Sequence, residues 1–215
     1  MRLQKLGGYA SICLILLGAI FAIAMYVYPG LPGSLTTADL FNPDKLLAFQ
    51  AESPSAFSNL ALGVHLYSIL GGILILLIAL ALRERMQAAA PNLVLLSVIA
   101  FSAFAALSIT TAIVGNLVHT SMASARDVSA YRALLVVLYG LSAAADHALG
   151  WGFLLIGWVG VRSRLLPRIL GCLILALGVL LIFSFAATNL GTVNTVLGFI
   201  SLIWLGIVLL RKQTA

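Results

Sequence analysis

Residues 57–82 read FSNLALGVHLYSILGGILILLIALAL, and the next three are Arg83, Glu84 and Arg85. No charged side chain interrupts those 26 residues. As a helix the stretch is about 39 Å long, enough to cross a hydrocarbon core of about 30 Å. Outside a membrane, so long an apolar helix has no partner that would cover it. The stretch therefore fixes the solvent as well as the secondary structure.

The remainder of the chain has the same character. Of 215 residues, 62% are hydrophobic and 8% charged, and the mean hydropathy is +1.15. Soluble domains carry about 25% charged residues, so a soluble enzyme or nucleic-acid binder is excluded by charge content. The net charge of +6 lies in loops and helix flanks. It is explained by topology and anionic lipid headgroups, with no nucleic-acid partner. The spans expected are roughly 7–28, 57–82, 92–116, 138–161, 168–188 and 190–210. The fold class is all-α, a polytopic six-transmembrane-helix bundle forming a single domain over 1–215. No alternating ten-residue pattern suggests a barrel. Arg2 and Lys5 ahead of an apolar run resemble a signal peptide, but the run continues to Tyr28, so a retained first span is expected.

Lys and Arg distribute unevenly about these spans. One set of flanks holds Arg2, Lys5, Arg83, Arg85, Arg162, Arg164, Arg168, Arg211 and Lys212; the other holds Lys45, Arg126 and Arg132. The positive-inside rule then puts both termini in the cytoplasm. The outer loop 29–56 opens with Pro29-Gly30-Leu31-Pro32-Gly33, which cannot continue a helix. Asn42-Pro43-Asp44 reads as a cap, a proline at the first position and an acid in the first turn, so a helix is expected over 43–52. Its Leu46, Leu47 and Phe49 would lie on the outer membrane surface or pack on the bundle. Asp127 is placed to cap a helix from Val128, which either runs about 50 Å to Val161 or breaks near Gly140.

Small residues recur at helical spacing: Gly7, Ser11, Gly18 and Ala22; Ser108, Thr111, Gly115 and His119; Gly171 and Gly178; Gly191, Asn194, Gly198 and Ser201. Such stripes let helices approach closely in lipid, and bundle packing is their first reading. A path lined by hydroxyls is the second. Gly150-Trp151-Gly152 is read as a packing notch beside an aromatic. Cys13 and Cys172, without metal-ligand spacing, are expected as small buried apolar residues.

Lys5-Leu6-Gly7-Gly8-Tyr9, Ala51-Glu52-Ser53-Pro54 and above all the LPRILG motif at 166–171, Leu166-Pro167-Arg168-Ile169-Leu170-Gly171 preceded by Arg164-Leu165, carry a resemblance. The chain resembles an uncharacterised family of bacterial six-helix membrane proteins, catalogued as a domain of unknown function, with LPRILG opening the fifth span. The resemblance implies a multi-pass protein of the bacterial inner membrane and no activity. In the family a histidine stands closer to LPRILG; here that stretch reads Phe153-Leu154-Leu155, so no site residue is transferred.

Chemistry inside the membrane rests on few groups. Asp146 and its neighbour His147 lie within the fourth span and His65 within the second, all in the outer half. Asn116 and His119 end the third span on the same side, as Thr188 and Asn189 end the fifth. Ionisable groups in lipid face the bundle interior and pair with one another. Asp146 is therefore expected within reach of His65 or His147. His65, Asp146, His147, Asn116 and His119 form the candidate ligand-binding set. Three functions remain open: binding or translocation of a small molecule or ion through an outward-facing polar pocket, a structural protein packing a membrane-protein partner, or a haem- or metal-binding redox protein. For haem, His65 and His147 would have to oppose each other. For zinc, His65, His119, Asp146 and His147 would have to converge, although residues 146 and 147 point about 100° apart. No HExxH, GxSxG or phosphate loop occurs, so no catalytic residue is assigned; no span contains a lysine for a Schiff base.

Overall fold

The computed structural model describes residues 3–27, 42–125, 128–184 and 190–211. They form α1 (Leu3–Val27), α2 (Pro43–Glu52), α3 (Pro54–Met86), α4 (Pro91–Ala125), α5 (Val128–Ser163), α6 (Arg168–Ile182) and α7 (Leu190–Leu210). α2, α3 and α4 each begin on a proline, whose missing N–H costs nothing in a first turn. α1, α3, α4, α5 and α7 are long and apolar enough to cross a membrane. α6 is apolar but has 15 residues, so it rises only about 22 Å.

The six longest elements, all but α2, close into a ring. α3 packs on α4, α4 on α5, α5 on α6 and α6 on α7, and α1 fills the gap between α7 and α3. Their outward faces carry Leu, Ile and Val, as with Leu16, Leu62, Leu96, Ile113, Val136 and Ile203. That pattern suits lipid, which favours apolar side chains as much as the core does.

One end of the ring is packed solid and tied by polar contacts. The backbone N–H of Gln4, unpaired in the first turn of α1, donates to the Glu84 carboxylate at 2.9 Å. Arg85 donates from Nε to the Leu165 carbonyl (3.2 Å) and from Nη1 to the Val208 carbonyl (3.3 Å). These bonds bring the start of α1, the end of α3, the α5–α6 connection and the end of α7 together. Lys5, Arg83, Arg85, Arg162, Arg164, Arg168 and Arg211 therefore share that end. The core above it contains Ile78, Leu82, Met86, Val94, Ile156, Leu170, Ile174 and Leu205, all essentially without exposure. Arg164 closes α5 at φ 58°, the left-handed conformation that usually takes glycine.

Several expectations are corrected. α4 extends well past span 92–116 to Ala125 and α5 begins at Val128, the helix start expected after Asp127, so the connection expected over 117–137 is mostly helical. The reason is compositional: 117–137 contains neither glycine nor proline to stop a helix. α5 runs unbroken through Gly140. α2 forms as expected, with the Asn42 side chain accepting from Asp44 N and Lys45 N. Its apolar side is turned onto the bundle: Leu46 and Phe49 are buried against Phe57, Val118, Tyr131, Leu135 and Leu138. An exposed Asp44–Arg132 ion pair flanks this contact. Cys13 and Cys172 face outward rather than inward, because both project from the lipid-facing side of the ring. Pro29–Gly33, Arg126, Asp127, Thr188 and Asn189 lie outside the described residues.

Candidate functional site

The ring is not filled along its whole length. Beyond the packed end, all six long helices enclose a cavity of about 410 Å³. Its floor is Leu14, Ile75, Phe153 and Leu177, which belong to the packed core. Its polar wall is Tyr67 and Ser68 from α3, Ser108 and Thr111 from α4, Ser142 and Asp146 from α5, and Asn194 and Thr195 from α7. The stripes at 108/111 and 194/198 thus line a cavity as well as packing helices. Asp146 sits about 26 Å along α5 from the Arg-rich end.

Asp146 is turned inward, as a carboxyl in lipid must be. Among the described residues no hydrogen bond or ion pair reaches it; the Tyr67 phenol is its electrostatic neighbour. Tyr67 in turn stacks on Phe21 of α1 (centroids 5.0 Å, 20°). Asn194 is 9% exposed, and its Oδ1 has no hydrogen-bond partner. Thr111 Oγ1, also on the wall, is buried and likewise unpartnered. Buried acceptors and hydroxyls left this way are costly, by about 1–3 kcal/mol each, so two on one wall point to a polar occupant.

A smaller cavity of about 170 Å³ lies between α3, α4 and α5 and is capped by Leu46 of α2. Ser68, Thr111 and Ser142 border both cavities, forming a hydroxyl partition between them. His65 and His119 line the smaller one. Their rings stack at 5.8 Å and 28°, and His119 Nδ1 is 3.0 Å from the Tyr131 hydroxyl. His65 packs closely on Gly115, where a Cβ would come within 2.8 Å of its Cε1. His65 Nε2 is buried without a partner.

The expected site residues are therefore divided among four places. His65 and His119 come together, and Asp146 faces the neighbouring cavity across the hydroxyl partition. His147, one position and about 100° on, leaves the interior. Its Nδ1 lies 3.3 Å from the Ile182 carbonyl and its Nε2 accepts from Trp151 Nε1 at 3.2 Å. These partners suit one neutral tautomer, with the proton on Nδ1. Asn116 is exposed on α4 and lines neither cavity. Among the described residues no direct hydrogen bond joins Asp146 to His65 or His147. The opposed His65–His147 arrangement required for haem does not form, since His147 faces α6 and Trp151. Among the described residues no three His, Cys, Asp or Glu side chains converge as metal ligands.

Tyr67, Tyr131 and Asn194 were not singled out by their chemistry in the sequence. Asn194 carried a usable signal, because an amide in an apolar helix needs a partner. Tyr67 and Tyr131 carried none, since tyrosine is ordinary at membrane interfaces. Compared with family models, curated proteins and solved structures, the chain matches none of them.

Proposed function

We propose that this chain is a six-span protein of the bacterial inner membrane, both termini cytoplasmic, that binds or translocates a small molecule through the central cavity. Membership of the LPRILG family belongs to the same proposal. The carrying observation is the inward-facing Asp146 on the wall of a cavity to which all six long helices contribute. A merely structural carboxyl would be expected to end on a fixed partner. The volume falls within the usual range for small-molecule sites, about 300–1,000 Å³. The solid Arg-rich end supports access from the opposite, outer side. The smaller histidine-lined cavity continues the polar track in that direction.

Gly198 makes the proposal testable. It lines the cavity, and a Cβ built on it meets nothing within 4 Å. Gly198→Leu should fill space without clash. In a thermal-shift screen of purified protein in nanodiscs, small molecules that raise the Tm of the native chain should lose that effect in Gly198→Leu. Stabilisation unaffected by the filled cavity would refute the central site.

A further inference from the structure

We propose that the central cavity selects a small organic cation, a protonated amine carried on an apolar body; this rests on the reading of that cavity as a ligand site. Its polar groups are biased toward acceptors. Asp146 supplies the single acidic group on the wall, and no Lys, Arg or His accompanies it among the lining residues. Asn194 Oδ1, nine-tenths buried and unpartnered, is a second acceptor awaiting a donor. The serine and threonine hydroxyls can accept as readily as donate. An anion here would meet a carboxylate with no compensating base. A neutral hydrocarbon would leave Asp146 and Asn194 unpaired, at the cost of buried polar groups without bonds. An ammonium group brings the donors that both kinds of acceptor lack.

The remainder of the lining describes the ligand's other end. Tyr67, Phe104, Phe153 and Phe199 bring four aromatic rings to one cavity, and Leu and Ile fill the floor between them. Aromatic faces attract cations, most strongly in a desolvated site. A bare metal ion would need six or more oxygens at about 2.3–2.6 Å if it were calcium, which walls this rich in carbon do not favour. The volume of about 410 Å³ is also far larger than one ion requires.

The test uses one apolar body with three charges: 2-phenylethylammonium, 2-phenylethanol and 3-phenylpropionate, titrated against the full chain in nanodiscs. The ammonium should bind at least about tenfold tighter than the alcohol, a difference of about 1.4 kcal/mol. The carboxylate should bind more weakly than either. Asp146→Asn should erase the preference for the ammonium over the alcohol. Should that variant fail to fold, the ranking on the native chain still decides. An alcohol or carboxylate binding as well as the ammonium would overturn the cation assignment and leave the cavity reading intact. Displacement of the ammonium by sodium chloride, with choline chloride inert at equal ionic strength, would overturn it in favour of an inorganic cation. Binding of all three probes that persists in Gly198→Leu, or no binding of any at millimolar concentration, would overturn the cavity reading itself.

Discussion

Gly178 of α6 stands so close to Leu154 of α5 that a Cβ on the glycine would lie 2.4 Å from the Leu154 backbone nitrogen. Gly157 repeats the relationship in reverse, its Cβ position falling 2.6 Å from the backbone nitrogen of Leu175. Backbone against backbone leaves no flexible atom to move aside. α6, too short to bury much surface by length, instead obtains its packing by proximity. Gly178→Ala should therefore destabilise the protein by about 1–3 kcal/mol through overpacking. Gly140→Ala is the matched control on α5, since nothing lies within 4 Å of a Cβ there. It should be neutral or stabilising by up to about 1 kcal/mol. Melting temperatures in detergent decide; equal effects at both positions would refute the close α5–α6 approach.

The Arg-rich end offers a second measurement. Arg85 spans two carbonyls, Leu165 on the α5–α6 connection and Val208 near the end of α7, using two separate nitrogens of its fork. A lysine has one ammonium on a flexible stem and cannot hold the same two-point geometry. Arg85→Met should cost about 1.5–3 kcal/mol, the range for hydrogen bonds to a charged group. Arg85→Lys should recover only part of it. Full recovery by lysine would show that charge at the headgroups, not the fork, is what matters.

The membrane class and the polar inventory were legible because each follows from composition and periodicity. The uncharged run over 57–82 requires lipid, and Asn42-Pro43-Asp44 starts a helix by local chemistry alone. The partners of Asp146 were not legible. The cost of a carboxyl in lipid turns Asp146 inward and helical spacing directs His147 about 100° away, but neither says where His147 is seated. That seat is set by the α5–α6 contact, which places His147 beside Ile182 and Trp151 and leaves Asp146 to the cavity. The length of α4 was not legible for a related reason: hydropathy measures the part of a helix that suits lipid, while α4 continues beyond it to Ala125; the start of α5 at Val128 was legible from Asp127.

The docking of α2 separates burial from charge. Phe49 is 2% exposed and meets Phe57 edge-on at 6.0 Å. The Asp44–Arg132 pair beside it is largely exposed. Phe49→Ala should release α2 at a cost of about 3 kcal/mol and sharply raise amide exchange over 43–52. Asp44→Asn should change stability by less than about 1 kcal/mol, since exposed ion pairs contribute little. If Asp44→Asn freed the helix and Phe49→Ala did not, the apolar seat would not be what holds it.

Topology is the remaining expectation. The hydrogen bonds of Arg85 and Glu84 gather the basic flanks of α1, α3, α5, α6 and α7 at one end of the ring. At the other end the ion pair of Asp44 with Arg132 ties α2 to the start of α5. Basic residues in short connections are retained on the cytoplasmic side. Reporter fusions within 83–90 and after Ala215 should therefore report cytoplasm, and a fusion within 33–42 should report the outside. α6 is the vulnerable step, because about 22 Å of helix is shorter than the hydrocarbon core. If α6 spans, its ends must be met by local thinning or by flanking residues that reach the headgroups, at modest cost. If it does not, the C-terminus and the 83–90 connection would report opposite sides, and the six-span arrangement would fall while the ring of helices stood.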